Sequence, residues 1–354
     1  AVDLYIIATV SVLNSSFENN TAISEGGGFF INATSSPTEF RNSDISNNRA
    51  GTDGGAIYLI TEGAFFDNIT SNNNTAARGG SSFIRGNNAV IQNSTFCNNS
   101  AIYNGNEESG IGGGLDVLCN NCRFTNVTAN NNNASLGGAA FIRGDNTLVD
   151  NCTLNNNNAT LRGGGLNVAG DNCNVNNVDV SNNRAGTDGG AVYVKGNDAT
   201  FVDVYSFNNT ANRGGSTFVD GDNADVHNCT LVGNNAYNSS STGLSGRGGG
   251  LDLAGENCKV YDLEVSNNHA DGEGGAVYIR SSNLDIYDIN SVNNTAQLGG
   301  STFVQGNNIT IHNCTLENNT ADLRGGGINV FGNDCKVYDV DVSDNNAGTD
   351  GGAV

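Results

Sequence analysis

The side chains that could do chemistry here are carboxylates, three histidines, nine cysteines and many asparagines, and nearly all of them keep step with a repeat. Asp53, Asp188 and Asp350 recur in an AGTDGG turn, and Asp179, Glu264 and Asp341 recur in a DVSNN-like strand. Glycoside hydrolysis needs two carboxyl groups whose environments differ at one place. Such a pair should break the repeat once, and none of these does. His227 and His312 occupy equivalent repeat places, which fits a lattice position better than a catalytic one. No catalytic residue and no enzyme activity are therefore expected. For Ca2+, the AGTDGG turns offer only Asp53, Asp188 and Asp350 with nearby carbonyls, a sparse ligand set compared with RTX-type nonapeptides. No other cofactor or metal is expected.

The cysteines follow the repeat too. Cys152, Cys229 and Cys314 share one place, and Cys173, Cys258 and Cys335 share another in the next unit. Their coupling suggests the disulfides Cys152–Cys173, Cys229–Cys258 and Cys314–Cys335, which would imply an oxidising compartment. The two places lie five residues apart, however, and a disulfide needs Cα atoms within about 7 Å. The alternative is a set of small buried thiols. Cys119 and Cys122 have CxxC spacing without a second pair or a histidine cluster, so zinc is not expected there. Among many Asn-X-Ser/Thr acceptors, Asn93, Asn151, Asn228, Asn293, Asn313 and Asn318 are candidates for glycosylation.

What positions these residues is a clock of glycine pairs. Pairs begin at Gly26, Gly54, Gly79, Gly112, Gly137, Gly163, Gly189, Gly214, Gly248, Gly274, Gly299, Gly325 and Gly351, most of them 25 or 26 residues apart. A fixed period in this range marks stacked supersecondary units. Between pairs, short β-branched and aromatic runs alternate with Gly, Asn and Asp, and no segment shows helical periodicity. Three short strands and three turns fit each unit. The expected fold is all-β, a right-handed parallel β-helix with rungs of about 25 residues, the hand following from the crossover rule. Residues 1–354 read as one continuous solenoid. Insertions interrupt it at 101–111 and 236–247, both ahead of a triple-glycine rung. The chain begins and ends in mid-strand without polar caps, as an internal piece of a longer array would.

Counting the first glycine as zero, places three and five are aliphatic and should face inward. Places two and four should then face outward, place two as a row of Gly, Ala and Ser. Place four gives a stripe of Tyr58, Phe83, Phe141, Tyr193, Phe218, Tyr278 and Phe303, interrupted by Asp116, Asn167, Asp252 and Asn329. Rungs cycle through GGG-L-D/N, GGAVY and GGSTF. Nearly every coil also carries an Asn-Asn pair, from Asn19-Asn20 to Asn345-Asn346, and stacking should align these into hydrogen-bonded ladders. The formal net charge of −21 disfavours nucleic acid as a partner.

GGAI at Gly54, GGAV at Gly189, Gly274 and Gly351, and FENN and FCNN at Phe17 and Phe96 resemble the repeats of chlamydial polymorphic outer-membrane proteins. The Asn-rich SNNxA…GGAVYV…NNTAxxGGSTFV pattern is similar to adhesin-like surface proteins of methanogenic archaea. Leu154, Leu231 and Leu316 depart from the bacterial FxxN pattern. Both likenesses imply an extracellular β-helix and an adhesive role, and neither carries over a catalytic residue. The expected function is a cell-surface adhesive stalk that contacts other cells or surface glycans through the aromatic stripe. Membrane attachment would come only through segments outside this chain. The alternatives are a self-assembling filament or sheath subunit, bound to copies of itself, and a polysaccharide-active β-helix enzyme.

Overall fold

A computed structural model describes residues 2–5, 9–33, 37–238 and 246–354. Every strand is parallel to its neighbours, and the coils form a β-solenoid of about 13 turns with rungs of about 26 residues. The coils group into two compact units, Ala1–Asn174 and Val175–Val354. The coils contribute strands to three sheets, and in several coils the strand of the second sheet is split in two, as at Val90–Gln92 and Thr95–Cys97. In the coil from Gly189 these strands are Val192–Lys195, Thr200–Phe207 and Thr210–Ala211. Of the two insertions, 101–111 is described throughout, and residues 239–245 of the second lie outside the described residues.

The glycine pair is fixed by contact. Gly189 has φ 61°, and a Cβ there would lie 2.2 Å from the carbonyl oxygen of Val192. At Gly190 a Cβ would lie 1.9 Å from the carbonyl oxygen of Gly215 in the next rung. The other corners use a left-handed residue every five positions, as at Asp198, Asp203 and Asn208. Among the described residues, every non-glycine residue with positive φ is Asn or Asp, the types that tolerate this region best.

Places three and five do point inward. Leu251 and Leu253 are fully buried, as are Val192 and Val194. Place two does not point outward as expected. Ser81, Ala191, Ser216 and Ser301 are all fully buried, and the hydroxyl of Ser81 lies 2.6 Å from that of Ser71 across the interior. The left-handed glycine interrupts strand alternation, so the small row lines the inside of the corner. It leaves room for buried hydroxyl chains, Ser71–Ser81–Ser82 in the first unit and Ser291–Ser301–Thr302 in the second.

The Asn-Asn pairs form two ladders in each unit. The first member of a pair is a left-handed corner residue, as Asn73 and Asn208 are. The second is buried and holds three rungs together. Asn209 accepts from the backbone N–H of Asn183 at 2.7 Å and donates its own N–H to Asn234 Oδ1 at 2.9 Å. Its Nδ2 donates to Asn234 Oδ1 at 3.0 Å and to the Val180 carbonyl at 2.7 Å. In the first unit Asn48, Asn74, Asn99, Asn132 and Asn157 repeat this pattern. Each residue satisfies backbone groups that the turn leaves without a sheet partner.

The three expected rung-to-rung disulfides are absent. Cys152, Cys173, Cys229, Cys258, Cys314 and Cys335 are free thiols. Register is the reason: Asp225 pairs with Lys259 and Cys229 with Leu263, so Cys258 lies beside Ala224, five residues from Cys229. Five extended residues span about 16 Å, far beyond disulfide reach. The disulfide present joins Cys119 and Cys122 across a turn, with Cα atoms 5.9 Å apart. Burial pushes the Cys152 and Cys314 thiols up to about 11 and Cys229 up to about 12.

Asn209→Ala strands the Asn183 N–H and the Val180 carbonyl, and should cost about 3–5 kcal/mol in denaturant unfolding followed by circular dichroism. Asn208→Gly, at the exposed corner next door, should cost under about 1 kcal/mol. Native thiol titration should label Cys97 and Cys335, which are partly exposed, while the five buried free thiols react only after unfolding.

Candidate functional site

The outer face of the first sheet carries the place-four stripe. In the first unit Phe30, Tyr58 and Phe83 stack with ring centroids 5.0 and 5.2 Å apart. In the second unit Tyr193 stacks on Phe218 and Tyr278 on Phe303, each at 5.5 Å. The rings are where the sequence places them, yet they are not the open strip expected. Phe83, Phe141, Tyr193, Phe218, Tyr278 and Phe303 are buried, and Tyr58 is half-buried. One-rung spacing lets each flat ring cover the next. Where the stripe is interrupted, arginine fills the gap. The Arg78 guanidinium lies 4.6 Å from the Phe83 ring centre, Arg213 lies 4.5 Å from Phe218, and Arg247 lies 4.8 Å from Tyr278.

Those guanidiniums surround the interrupting carboxylates. Asp116 is fully buried and held by Arg78 Nη2 at 2.9 Å, Arg78 Nε at 3.0 Å and Arg143 Nη2 at 3.1 Å. Arg78 also reaches Glu108 of the 101–111 insertion at 3.4 Å. Asp252, at the equivalent place of the second unit, is equally buried among Arg213, Arg247 and Arg280. Arg213 Nε is turned to Asp188 at 2.7 Å and Arg247 Nε to Glu273 at 2.8 Å. Burial outweighs the three guanidiniums and pushes the Asp252 carboxyl up to about 7. The same effect takes Asp53, beside Arg78, up to about 6.

A second aromatic array, on the outer face of the second sheet, is not among the sequence expectations. In the second unit His227, Tyr261, Tyr287, His312 and Tyr338 stack with centroids 4.7, 4.8, 5.2 and 5.0 Å apart and planes within 11° of parallel. These rings are partly exposed, Tyr338 to 47%. His227 Nδ1 lies 2.9 Å from Asp225 and His312 Nε2 lies 3.3 Å from Asp285. The column beside the rings runs Asp225, Lys259, Asp285, Thr310 and Lys336. The sequence does carry a signal for this ladder: an aliphatic residue, then His or Tyr, then a left-handed Asn or Asp, as in Val226-His227-Asn228 and Ile286-Tyr287-Asp288. Equivalence of His227 and His312 is thus a ladder position.

The other expected site residues scatter along the repeat. Asp188 pairs with Arg213, and Asp350 lies 3.3 Å from Arg324. Among the described residues, no three His, Cys, Asp or Glu side chains converge as metal ligands. Asn93, Asn151, Asn228, Asn293, Asn313 and Asn318 are all exposed left-handed corner residues. Several join an outward ladder, as when Asn126 donates to Asn93 at 3.0 Å.

The Chlamydia polymorphic membrane protein repeat is matched at residues 42–59, 177–195 and 262–280. No curated protein sequence matches the chain. Among solved structures, one described as a new PL6 alginate lyase in complex with a trisaccharide superposes with a TM-score of 0.60 at 11% identity. That match covers 97% of this chain and 83% of the lyase. The A-module of the Azotobacter vinelandii mannuronan C-5 epimerase AlgE6 gives a TM-score of 0.38 at 10% identity, covering 96% of this chain and 90% of the module. The expectation of no enzyme activity is corrected by the lyase. A repeat-bound lattice was the ground for that expectation, and a chain of known lyase activity shares the architecture.

The folded Asp252 carboxyl, at about 7, lies above its unfolded value near 3.8, so the folded state holds the extra proton between them. Its contribution is present in acid and lost as pH rises through about 7. The stability advantage of Asp252→Asn over the wild type should grow by on the order of 2 kcal/mol between pH 5 and pH 8. Paired thermal melts at the two pH values measure this.

Proposed function

We propose that the protein is a cell-surface β-helical adhesive element that binds glycan chains through the His227–Tyr261–Tyr287–His312–Tyr338 ladder. The observation that carries this reading is the five-ring array itself, partly exposed and repeating once per rung. Ring faces are occupied by neighbouring rings, so a ligand meets edges, phenol hydroxyls and imidazole nitrogens. His and Tyr combine an apolar body with a polar tip. The Asp and Lys column alongside adds donors and acceptors at the same spacing. A chain of sugar rings laid along the ladder repeats on a similar length, and weak contacts multiply into avidity.

Other features support the reading. The matched repeat is described from a membrane protein, and the superposed lyase was solved with a trisaccharide. The exposed sequon corners suit a glycosylated extracellular surface.

Retention of the full chain on immobilised polysaccharides tests the proposal. Replacing Tyr261 and Tyr287 together by Ser should lower retention at least about tenfold, a loss of about 1.4 kcal/mol. Phe218→Leu, in the buried stack, should lower stability and leave retention unchanged. Equal retention of the double variant and the wild type would overturn the assignment.

A further inference from the structure

Two of the three histidines, His227 and His312, belong to the ring ladder of the second sheet. His269 does not. It opens the short strand His269–Ala270 of the third sheet, at a place where other rungs carry Thr75, Ser100, Asn133, Arg184 and Thr210. The sequence His-x-Asp, here His269-Ala270-Asp271, occurs once in the chain. A departure from the repeat at a single place is what catalysis would require of such a lattice.

The three side chains that meet there are a hydroxyl, an imidazole and a carboxylate. His269 is in register with Thr295 of the next rung, and its Nδ1 lies 2.7 Å from Thr295 Oγ1. Its Nε2 lies 2.9 Å from Asp271 Oδ1. The second carboxylate oxygen accepts the backbone N–H of Asn238, in the 236–247 insertion, at 2.7 Å. Burial pushes the Asp271 carboxyl up, but the hydrogen bonds from Asn238 and His269 outweigh it and hold the carboxyl below its ordinary value. An ionised carboxylate only accepts, so Nε2 carries the hydrogen and Nδ1 faces the Thr295 hydroxyl as an acceptor. This is the order in which a base activates a weak nucleophile and a third group orients the base. In the strand Thr295–Leu298, Thr295 and Gln297 are exposed on either side of buried Ala296. Gln297 therefore brings a side-chain amide to the same face, as a donor for a developing oxyanion.

We propose that Thr295, His269 and Asp271 form an acyl-transfer site that hydrolyses short-chain carboxylic esters. Thr295 Oγ1 attacks the ester carbonyl carbon while its proton passes to His269 Nδ1. The tetrahedral intermediate collapses, the alcohol leaves with that proton, and an acyl ester remains on Thr295. Water then attacks the acyl carbon and gives a proton to the same nitrogen. The Thr295 oxygen recovers that proton as the carboxylic acid departs. Ester and water become acid and alcohol, and the side chains return to their starting state. Asp271 is a positioning residue that fixes the ring and its tautomer. The His269 and Asp271 side chains are 48% and 42% exposed, which suits an ester projecting from a large substrate. The site lies on the third sheet and does not depend on the ladder of the second.

Hydrolysis of p-nitrophenyl acetate by the full chain, followed as nitrophenolate release, tests this, with a fluorophosphonate as covalent probe. Thr295→Val removes the hydroxyl and keeps the shape, and should lower kcat at least about 100-fold, as should His269→Gln. Thr295→Ser should retain turnover. Asp271→Asn should lower kcat at least about tenfold and leave KM unchanged. Thr320→Val, one rung on in the same column and stacked on Thr295 instead of a histidine, should change nothing. Peptide mass spectrometry should find the phosphonate on Thr295, attached with loss of fluoride, and should find none there in His269→Gln. Absence of turnover above the buffer rate would overturn the proposal. So would hydrolysis that survives Thr295→Val and is lost in His269→Gln, which would make the imidazole a nucleophile acting alone.

Discussion

The structure depends on the stacking of like upon like at one-rung spacing. Parallel coils bring the same place of successive repeats together, so each side chain must satisfy a neighbour of its own kind. Buried Asn meets this demand most completely, because its amide both donates and accepts and can join a column without end. The ladder through Asn74, Asn99 and Asn132 binds turns whose backbone groups face the interior. Unpaired, those groups would each cost about 1–3 kcal/mol. Aliphatic columns fill the remaining core, and aromatic columns close the outer faces.

Charge obeys the same rule with a difference. Like carboxylates cannot stack without repulsion, so an acidic place is tolerated where arginines from adjoining rungs flank it. Asp116 shows the satisfied form, with its ion pairs complete and flat guanidiniums continuing the ring stack. Asp252 is buried among arginines in the same way, and burial raises both carboxyls. Function is therefore sought where stacking is least complete, at the exposed ring edges of the second sheet.

Much of this was legible in the residues. The glycine clock gave the coil, Leu251 and Leu253 the inward face, and the Asn pairs the ladders. Three things were not. Place two reads as outward only if alternation runs unbroken from Gly189, whose left-handed backbone breaks it. The burial of the stripe at Phe83 and Phe218 is not legible in one coil, since facing can be read from one coil but covering depends on which rungs lie above and below. The His227–Tyr338 ladder was missed because its spacing is offset from the glycine pair by a second beat, the left-handed Asn or Asp every five residues. Read from Asn88, Asn93 and Asn98, that beat marks the corners directly. The cysteine pairing failed for a related reason: Cys229 and Cys258 belong to different corners.

The most direct test of the central claim is exchange of side-chain amide protons in a residue-resolved magnetic resonance spectrum. The Nδ2 protons of Asn74, Asn209, Asn234 and Asn294 should be protected as strongly as the neighbouring backbone amides, and those of the exposed corners Asn73 and Asn208, whose outward hydrogen bonds lie open to solvent, should exchange far faster. Equal, fast exchange of both sets would show that the buried ladder does not hold the coils together, and would contradict the account.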